Sequence, residues 1–118
     1  MALSFAHKIE TPFGIEKVKK EGKIYQSENF GVAVLKRSDS GVSKFAVVVS
    51  NKISKLAVNR NRIKRAITDA LRINLKKAPE GYDLVFLTKR SILIKTTEEV
   101  VKEVKSFLEK TSFNNNFK

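Results

Sequence analysis

Apolar residues recur at strand-like spacing in four parts of the chain. The valines of Phe30–Lys36 occupy every second position, which predicts a strand, and Lys23–Glu28 predicts a shorter strand before it. Lys44–Ser50 is apolar at successive positions, which predicts a central strand covered on both faces of its sheet. Tyr82–Thr88 has the same character and predicts a further buried strand.

Three other segments carry helical signals. Pro12–Glu21 mixes apolar residues with Lys and Glu, begins with a proline suited to the first helical position, and is followed by Gly22, which favours termination. A second helix is predicted from roughly Val58 to Lys77. The third opens at Thr96, with Glu99 three residues later in a capping-box pattern.

The predicted order of elements is therefore α-β-β-β-α-β-α. This order favours an α/β (α+β) two-layer sandwich, in which helices pack on a mixed sheet of about four strands. The length of 118 residues fits one domain spanning 1–118, and we expect 1–10 and 112–118 to be flexible.

The second helix is strongly amphipathic. On a helical wheel its apolar residues form one stripe, and most of its basic residues lie opposite that stripe. Arg60 and Lys64 fall at the border, where long aliphatic stems can cover apolar surface. The stripe consists of Ile63, Ala66, Ile67, Ala70 and Leu71. The opposite face consists of Asn61, Arg62, Arg65, Arg72 and Lys76.

The charge of the chain is concentrated around this helix. The whole chain has 24 Lys and Arg against 12 Asp and Glu, a net charge of +12, while residues 51–77 alone hold nine basic residues and one acidic residue. A domain this basic is expected to bind a polyanion, either nucleic acid or an anionic membrane. A merely solvated helix would interleave Glu with Lys, whereas this helix contains only Asp69. The charge pattern therefore favours polyanion binding without identifying the polyanion.

Other classes of function find little support in the composition. The chain has no cysteine, so it has no disulfide and no thiolate metal site. It lacks a secretory apolar segment and any apolar run of the ~20 residues that cross a bilayer, so we expect a cytoplasmic protein. The single histidine, His7, is more readily an exposed bystander than a catalytic base, and no carboxylates have metal-ligand spacing. We therefore predict no catalytic residue and no metal ligand in this chain.

The basic segment resembles a known family. The sequence AVNRNRIKRAITDALR (Ala57–Arg72), preceded by FAVVVSNKISK (Phe45–Lys55), is similar to the protein subunit of bacterial ribonuclease P, in which a strand ending Ser-Lys-Lys precedes a helix beginning Arg-Asn-Arg-x-Lys-Arg. GYDLVFL (Gly81–Leu87) resembles the last strand of that family. The chain departs from the pattern at Ile15, where Phe is usual, and at Thr68, where Arg is common.

The resemblance implies a function and a partner. The chain would bind the catalytic ribonuclease P RNA and the 5′ leader of precursor tRNA, and so promote endonucleolytic removal of that leader. The catalytic centre and its Mg²⁺ would belong to the RNA, and no cofactor would be held by protein side chains. The implied fold is a ribosomal-protein-like α/β sandwich with a left-handed β-α-β crossover, which is an exception to the usual handedness.

The resemblance also assigns residues. Contacts to the catalytic RNA are expected from Lys52, Lys55, Arg60, Asn61, Arg62, Lys64, Arg65 and Arg72. The resemblance also implies a cleft between the first helix and the sheet for the leader. Because single strands bind basic grooves with aromatic side chains, we expect contacts to the leader from Phe13, Ile15, Lys17, Phe30, Lys89 and Arg90. Tyr25 is a further candidate for stacking on a base, and for Phe30 a place in the core is an equal alternative.

Three alternatives remain open at this point. A ribosomal or other structural RNA-binding protein of similar fold would share the charge and the strands without a role in tRNA processing. A DNA-binding regulator is less well supported, because a buried strand, not a helix-turn-helix partner, precedes the basic helix. A role at a membrane surface is weaker still, because the apolar stripe is needed to cover the sheet.

Overall fold

A computed structural model describes Ile9 and residues 12–36, 43–50, 52–73 and 81–111 of the chain. The described elements are α1 (Pro12–Glu21), β1 (Lys23–Gln26), β2 (Phe30–Lys36), β3 (Lys44–Val48), α2 (Ala57–Ile73), β4 (Tyr82–Thr88), a 3₁₀ helix (Arg90–Ile94) and α3 (Thr97–Thr111). The predicted fold class is confirmed: three α-helices accompany one mixed four-stranded sheet.

The strands lie in the order β1-β2-β4-β3. β2 pairs antiparallel with β1 and with β4, and β3 pairs parallel with β4. α2 makes the crossover between these two parallel strands, as a parallel pair requires. The handedness of the crossover stays a prediction.

Among the strands that the structure describes, β3 is the last of the sheet, so the prediction that the strand beginning at Lys44 is central is wrong. β3 pairs with β4 on one side, and on its other side Ile9 donates a backbone hydrogen bond to the Phe45 carbonyl at 3.0 Å. The strand is apolar on both faces although it lies at an edge, because side chains pack on each face: Phe45 belongs to the core under α2 and α3, and Ala46 to the apolar cluster under α1.

The main core lies between the sheet and the pair α2–α3, on what we call the α2–α3 face. The predicted stripe of α2 is confirmed, since Ile63, Ala66, Ile67, Ala70 and Leu71 are all buried there. Three aromatic rings from β2, β4 and α3 meet in this core, with centroids 5.4–6.1 Å apart, at Phe30, Phe86 and Phe107. Tilted and edge-to-face pairs at this distance stabilise a core beyond the area they bury.

The opposite side of the sheet, which we call the α1 face, is covered by α1 through a smaller cluster centred on Val18, Ala33 and Val85. Gly22 makes this packing possible where α1 ends. A Cβ at Gly22 would lie 2.5 Å from the Val18 carbonyl oxygen and 2.8 Å from that of Val34, so only glycine lets the chain turn so close to β2.

The helix boundaries follow local chemistry. α3 begins with the predicted capping box: the Thr96 hydroxyl accepts a hydrogen bond from the Glu99 N–H, and the Glu99 carboxylate accepts one from the Thr96 N–H, both at 3.1 Å. The 3₁₀ helix before it was not predicted. β1 and β3 are each two residues shorter than predicted.

Parts of some predictions lie outside the described residues. These are the end of the second helix beyond Ile73, and the flexibility of 112–118 and of 1–10 apart from Ile9. Within the part of the chain that the structure describes, no helix is both long enough and apolar enough to span a membrane.

Candidate nucleic-acid interface

The turn that leads into α2 is tied to the first turns of the helix. The Ser54 hydroxyl accepts hydrogen bonds from the Leu56 N–H at 3.2 Å and from Asn59 Nδ2 at 3.3 Å. The Ser54 carbonyl accepts a third from Arg60 Nη1 at 2.8 Å. Ser54 therefore joins the turn to Asn59 in the first turn of α2, and the half-buried Arg60 holds the turn against the helix.

The outward side of α2 carries the predicted RNA contacts. The residues with exposed side chains are Asn61, Lys64, Arg65 and Arg72 on the helix and Lys52 and Lys55 in the turn before it. Because the opposite stripe is buried in the core, this side of the helix must face solvent or a partner. The structure therefore brings six of the eight predicted residues to the surface around one helix.

Arg62, like Arg60, donates to main-chain oxygens, but it reaches the end of the 3₁₀ helix instead of the turn before α2. Nη1 donates to the Lys95 carbonyl at 3.3 Å and Nη2 donates to the Leu93 carbonyl at 3.4 Å. These distances are at the long end for hydrogen bonds, so each bond is weak. The half-buried Arg62 side chain thus links α2 to the end of the 3₁₀ helix, in addition to any contact with RNA.

Arg90 and Lys89 attach the end of β4 to two neighbouring loops. Arg90, at the start of the 3₁₀ helix, is exposed and donates from Nη2 to the Lys52 carbonyl at 3.0 Å, so it lies beside the turn that precedes α2. Lys89 is half-buried, and its Nζ donates to the Ser27 carbonyl at 2.7 Å. The two residues were predicted as leader contacts, and the structure holds their cationic groups close to the surface through main-chain oxygens.

Glu103 of α3 fixes the β1–β2 loop that receives Lys89. Its Oε2 accepts hydrogen bonds from the Ser27 hydroxyl at 2.5 Å and from the Asn29 N–H at 2.9 Å. Its Oε1 accepts one from Asn29 Nδ2 at 2.6 Å. Asn29 is 3% exposed, so this carboxylate satisfies two buried donors at once. Nothing in the sequence pattern indicates the cluster, because Glu103 is 76 residues from Ser27 and 74 residues from Asn29.

The predicted leader contacts separate into two groups. Phe13 is 80% exposed on α1, Lys17 is exposed, and Ile15 is half-buried on the α1 face. Phe30 is 0% exposed on the α2–α3 face, so its assignment as a leader contact is corrected to the core alternative. Tyr25 also packs against the α2–α3 core, because it is paired with Val32 and shares that residue's face.

The α1 face is only partly covered and forms an open apolar surface. The partly buried residues of its cluster are Ile9, Ile15, Leu35, Ala46, Val48 and Leu87. A cavity of about 330 Å³ continues from this surface around the edge strand β3 to α2, and it is lined by Ile9, Ile15, Phe45, Ala46, Val47, Lys64 and Thr68. The leader cleft that the resemblance implies stays a prediction; the cavity also involves Lys64 and Thr68 of α2, which were not expected there.

The described residues contain no group of three or more His, Cys, Asp or Glu side chains that could hold a metal ion. The fold and its charge define a basic α/β sandwich in which one crossover helix presents cations on one side and core residues on the other.

The comparison with known proteins identifies the family. The Ribonuclease P family model matches residues 3–112. The ribonuclease P protein component of Clostridioides difficile is 34% identical over 96 residues, which cover 80% of this chain and 82% of that protein. That of Rippkaea orientalis is 31% identical over 112 residues, covering 92% and 88%. The chain belongs to the ribonuclease P protein family.

Two solved structures share the fold of this chain. The RNase P protein from Staphylococcus aureus superposes with a TM-score of 0.82 at 21% identity, covering 90% of this chain and 95% of that one. The RNase P protein from Thermotoga maritima superposes with a TM-score of 0.74 at 24% identity, covering 93% and 96%. At this level of identity the two structures support the fold alone.

Proposed function

We propose that this chain is the protein subunit of ribonuclease P, which binds the catalytic RNA through α2 and the 5′ leader of precursor tRNA through the α1 face. One observation carries the proposal: α2 buries its apolar stripe completely while it turns Asn61, Lys64, Arg65 and Arg72 outward. Membership of the family supports the choice of a ribonuclease P RNA as the polyanion.

The chemistry of the α2 surface suits an RNA backbone. Arginine presents a planar fork of donors that matches phosphate oxygens, while lysine contributes a point charge. The amino-terminal end of α2, at Ala57, adds the positive end of the helix dipole, and the exposed Lys52 and Lys55 lie just before it. Each phosphate contact of this kind releases counterions from the RNA, so binding is expected to weaken steeply as salt rises.

The α1 face suits a single strand. Its apolar surface can accept the faces of unpaired bases, and the exposed Phe13 supplies a ring at the edge of that surface. Lys17 on α1, with Lys89 and Arg90 beyond β4, would neutralise phosphates of the leader. In this proposal the protein positions substrate and screens charge, and Mg²⁺ held by the RNA supplies the hydrolytic chemistry. Precursor tRNA and the RNA subunit are the expected partners, with no DNA and no membrane among them.

Reconstitution tests the proposal directly. The purified chain is combined with a bacterial ribonuclease P RNA, and cleavage of a precursor tRNA with a 5′ leader is followed at low Mg²⁺ with and without the chain. We expect the chain to increase leader removal, and an Arg65→Ala/Arg72→Ala variant to require more protein for the same stimulation. Lys105→Ala, an exposed lysine on α3, is the matched control and should behave as wild type.

The outcomes distinguish the proposal from its main alternative. If the chain binds the RNA tightly but leaves leader cleavage unchanged, it is a structural RNA-binding protein and the processing role is wrong. If the double variant stimulates cleavage at wild-type concentration, α2 is not the RNA contact. Removing one phosphate contact should also reduce the slope of log affinity against log salt by about 1.

A further inference from the structure

Two exposed aliphatic residues lie close in the chain to the groups that Arg62 joins: Val58 on α2 and Ile94 at the end of the 3₁₀ helix. Val58 is 71% exposed and lies one turn before Arg62 on α2, so the two side chains are neighbours on the helix surface. Ile94 is 83% exposed and lies between Leu93 and Lys95, whose carbonyls accept the two hydrogen bonds from Arg62. Neither aliphatic side chain serves the core, and neither can neutralise a phosphate.

The two hydrogen bonds of Arg62 favour one orientation of its guanidinium. Because Nη1 and Nη2 donate to two neighbouring carbonyls, of Lys95 and Leu93, the group keeps less rotational freedom than a solvated arginine, although each bond is long. A guanidinium plane stacks on a nucleobase, and its order in the free protein lowers the entropy lost when a base arrives. The weak bonds also leave its remaining N–H donors available to a ligand.

We propose that Val58, Arg62 and Ile94, which we call the Arg62 platform, stack against one unpaired nucleobase of the RNA that docks on α2. The proposal rests on the proposed function, since it assumes that α2 contacts RNA. It adds a recognition element of a different kind: the other α2 contacts read phosphates, which every RNA helix displays, whereas the platform requires a base that has left its helix.

The size and surroundings of the platform favour a base over a protein partner. A stable protein interface buries about 800 Å² on each partner, far more than three side chains supply, whereas one base needs only a small flat contact. The neighbouring exposed Arg65 also favours an anionic ligand, and the exposed amide of Asn61 can donate to and accept from a base or a sugar.

The test separates stacking from charge neutralisation. The double variant Val58→Ser/Ile94→Ser removes the aliphatic surfaces and no charge. Ile73→Ser is the matched control, because Ile73 is 64% exposed on the same helix but lies about 16 Å from Arg62 along its axis. Affinity for a ribonuclease P RNA is measured at several salt concentrations, and melting by circular dichroism checks that each variant is folded.

We expect the double variant to bind roughly 10-fold more weakly, as the loss of one stacked base predicts, with the salt slope unchanged. The control should bind within about twofold of wild type on the same reasoning. Ile94→Phe, which enlarges the flat surface, should bind at least as tightly as wild type.

Several results would overturn the proposal. If the double variant binds the RNA as tightly as wild type, the proposed role of the Arg62 platform is wrong, while the proposed function still holds. A changed salt slope means that phosphate contacts were lost instead of stacking. Sedimentation that shows a wild-type dimer and a monomeric double variant assigns the patch to protein association. If wild type does not bind the RNA at all, both the proposed function and the proposed role of the platform are wrong.

Discussion

Replacing Glu103 with alanine should lower the free energy of unfolding by more than the partial burial of this side chain on α3 suggests. The carboxylate accepts three hydrogen bonds from the loop between β1 and β2, and two of the donors belong to Asn29, which is 3% exposed. Without Glu103, the Asn29 N–H and Nδ2 lose their partner inside the protein. Ser27 is half-buried and can turn its hydroxyl to water.

The magnitude follows from these two donors. A buried donor left without a partner costs about 1–3 kcal/mol, so the pair costs about 2–6 kcal/mol. Water entering the space of the lost side chain would recover part of this, and we expect a loss of about 3 kcal/mol in the free energy of unfolding. For a domain of this size that corresponds to roughly 10–15 °C in melting temperature.

Urea denaturation followed by circular dichroism measures the effect. Glu103→Gln should lose less than Glu103→Ala, since its carbonyl oxygen can still accept from Asn29 Nδ2. It should still be less stable than wild type, because its NH₂ group is a donor and cannot accept from the Asn29 N–H. Lys105→Ala, two residues along α3, is the control and should stay within about 0.5 kcal/mol of wild type. A loss below about 1 kcal/mol in Glu103→Ala would show that the hydrogen bonds of this loop are exchanged for water without cost, contrary to the reasoning from burial.

Three further predictions concern the fold. Gly22→Ala should lower the free energy of unfolding by about 2 kcal/mol or more, because its Cβ would lie 2.5 Å from the Val18 carbonyl oxygen; wild-type stability in urea would contradict this. The hydrogen bond from the Thr96 N–H lowers the pKa of Glu99 below its ordinary value of 4.5, so the stabilisation from this carboxylate is complete above pH 4.5 and is lost as pH falls through the lowered pKa. The stability difference between wild type and Glu99→Gln should therefore be constant near neutral pH and shrink in acid, and a difference that grows in acid would refute the assignment. Ile67→Asp places a charge at a fully buried position and should abolish the cooperative unfolding transition seen by circular dichroism; a transition at the wild-type midpoint would contradict the buried stripe.

The parts of this fold that the sequence predicts well are those governed by local periodicity. The α2 stripe follows from a spacing of about 3.6 residues, and all five of its predicted members are buried. The capping box of Thr96 and Glu99 follows from a spacing of three residues, and both of its hydrogen bonds are present.

The parts that the sequence misses depend on contacts between distant segments. An apolar run such as Lys44–Val48 indicates burial on two faces but not the number of neighbouring strands. The sequence therefore predicts β3 at the centre of the sheet, whereas it is the last of the described strands. Phe30 could face either side of the sheet until its pairing register was known. Arg62 was assigned to solvent by the helical wheel, yet it reaches carbonyls more than 30 residues away.

The double role of α2 has a thermodynamic consequence. The helix that supplies five core residues also carries like charges on its other side, so their mutual repulsion opposes folding of the free chain. A polyanion that binds the folded helix and not the unfolded chain adds RT ln(1 + [L]/Kd) to the free energy of unfolding. Through this linkage the stability of the domain becomes a measure of how fully that helix is occupied.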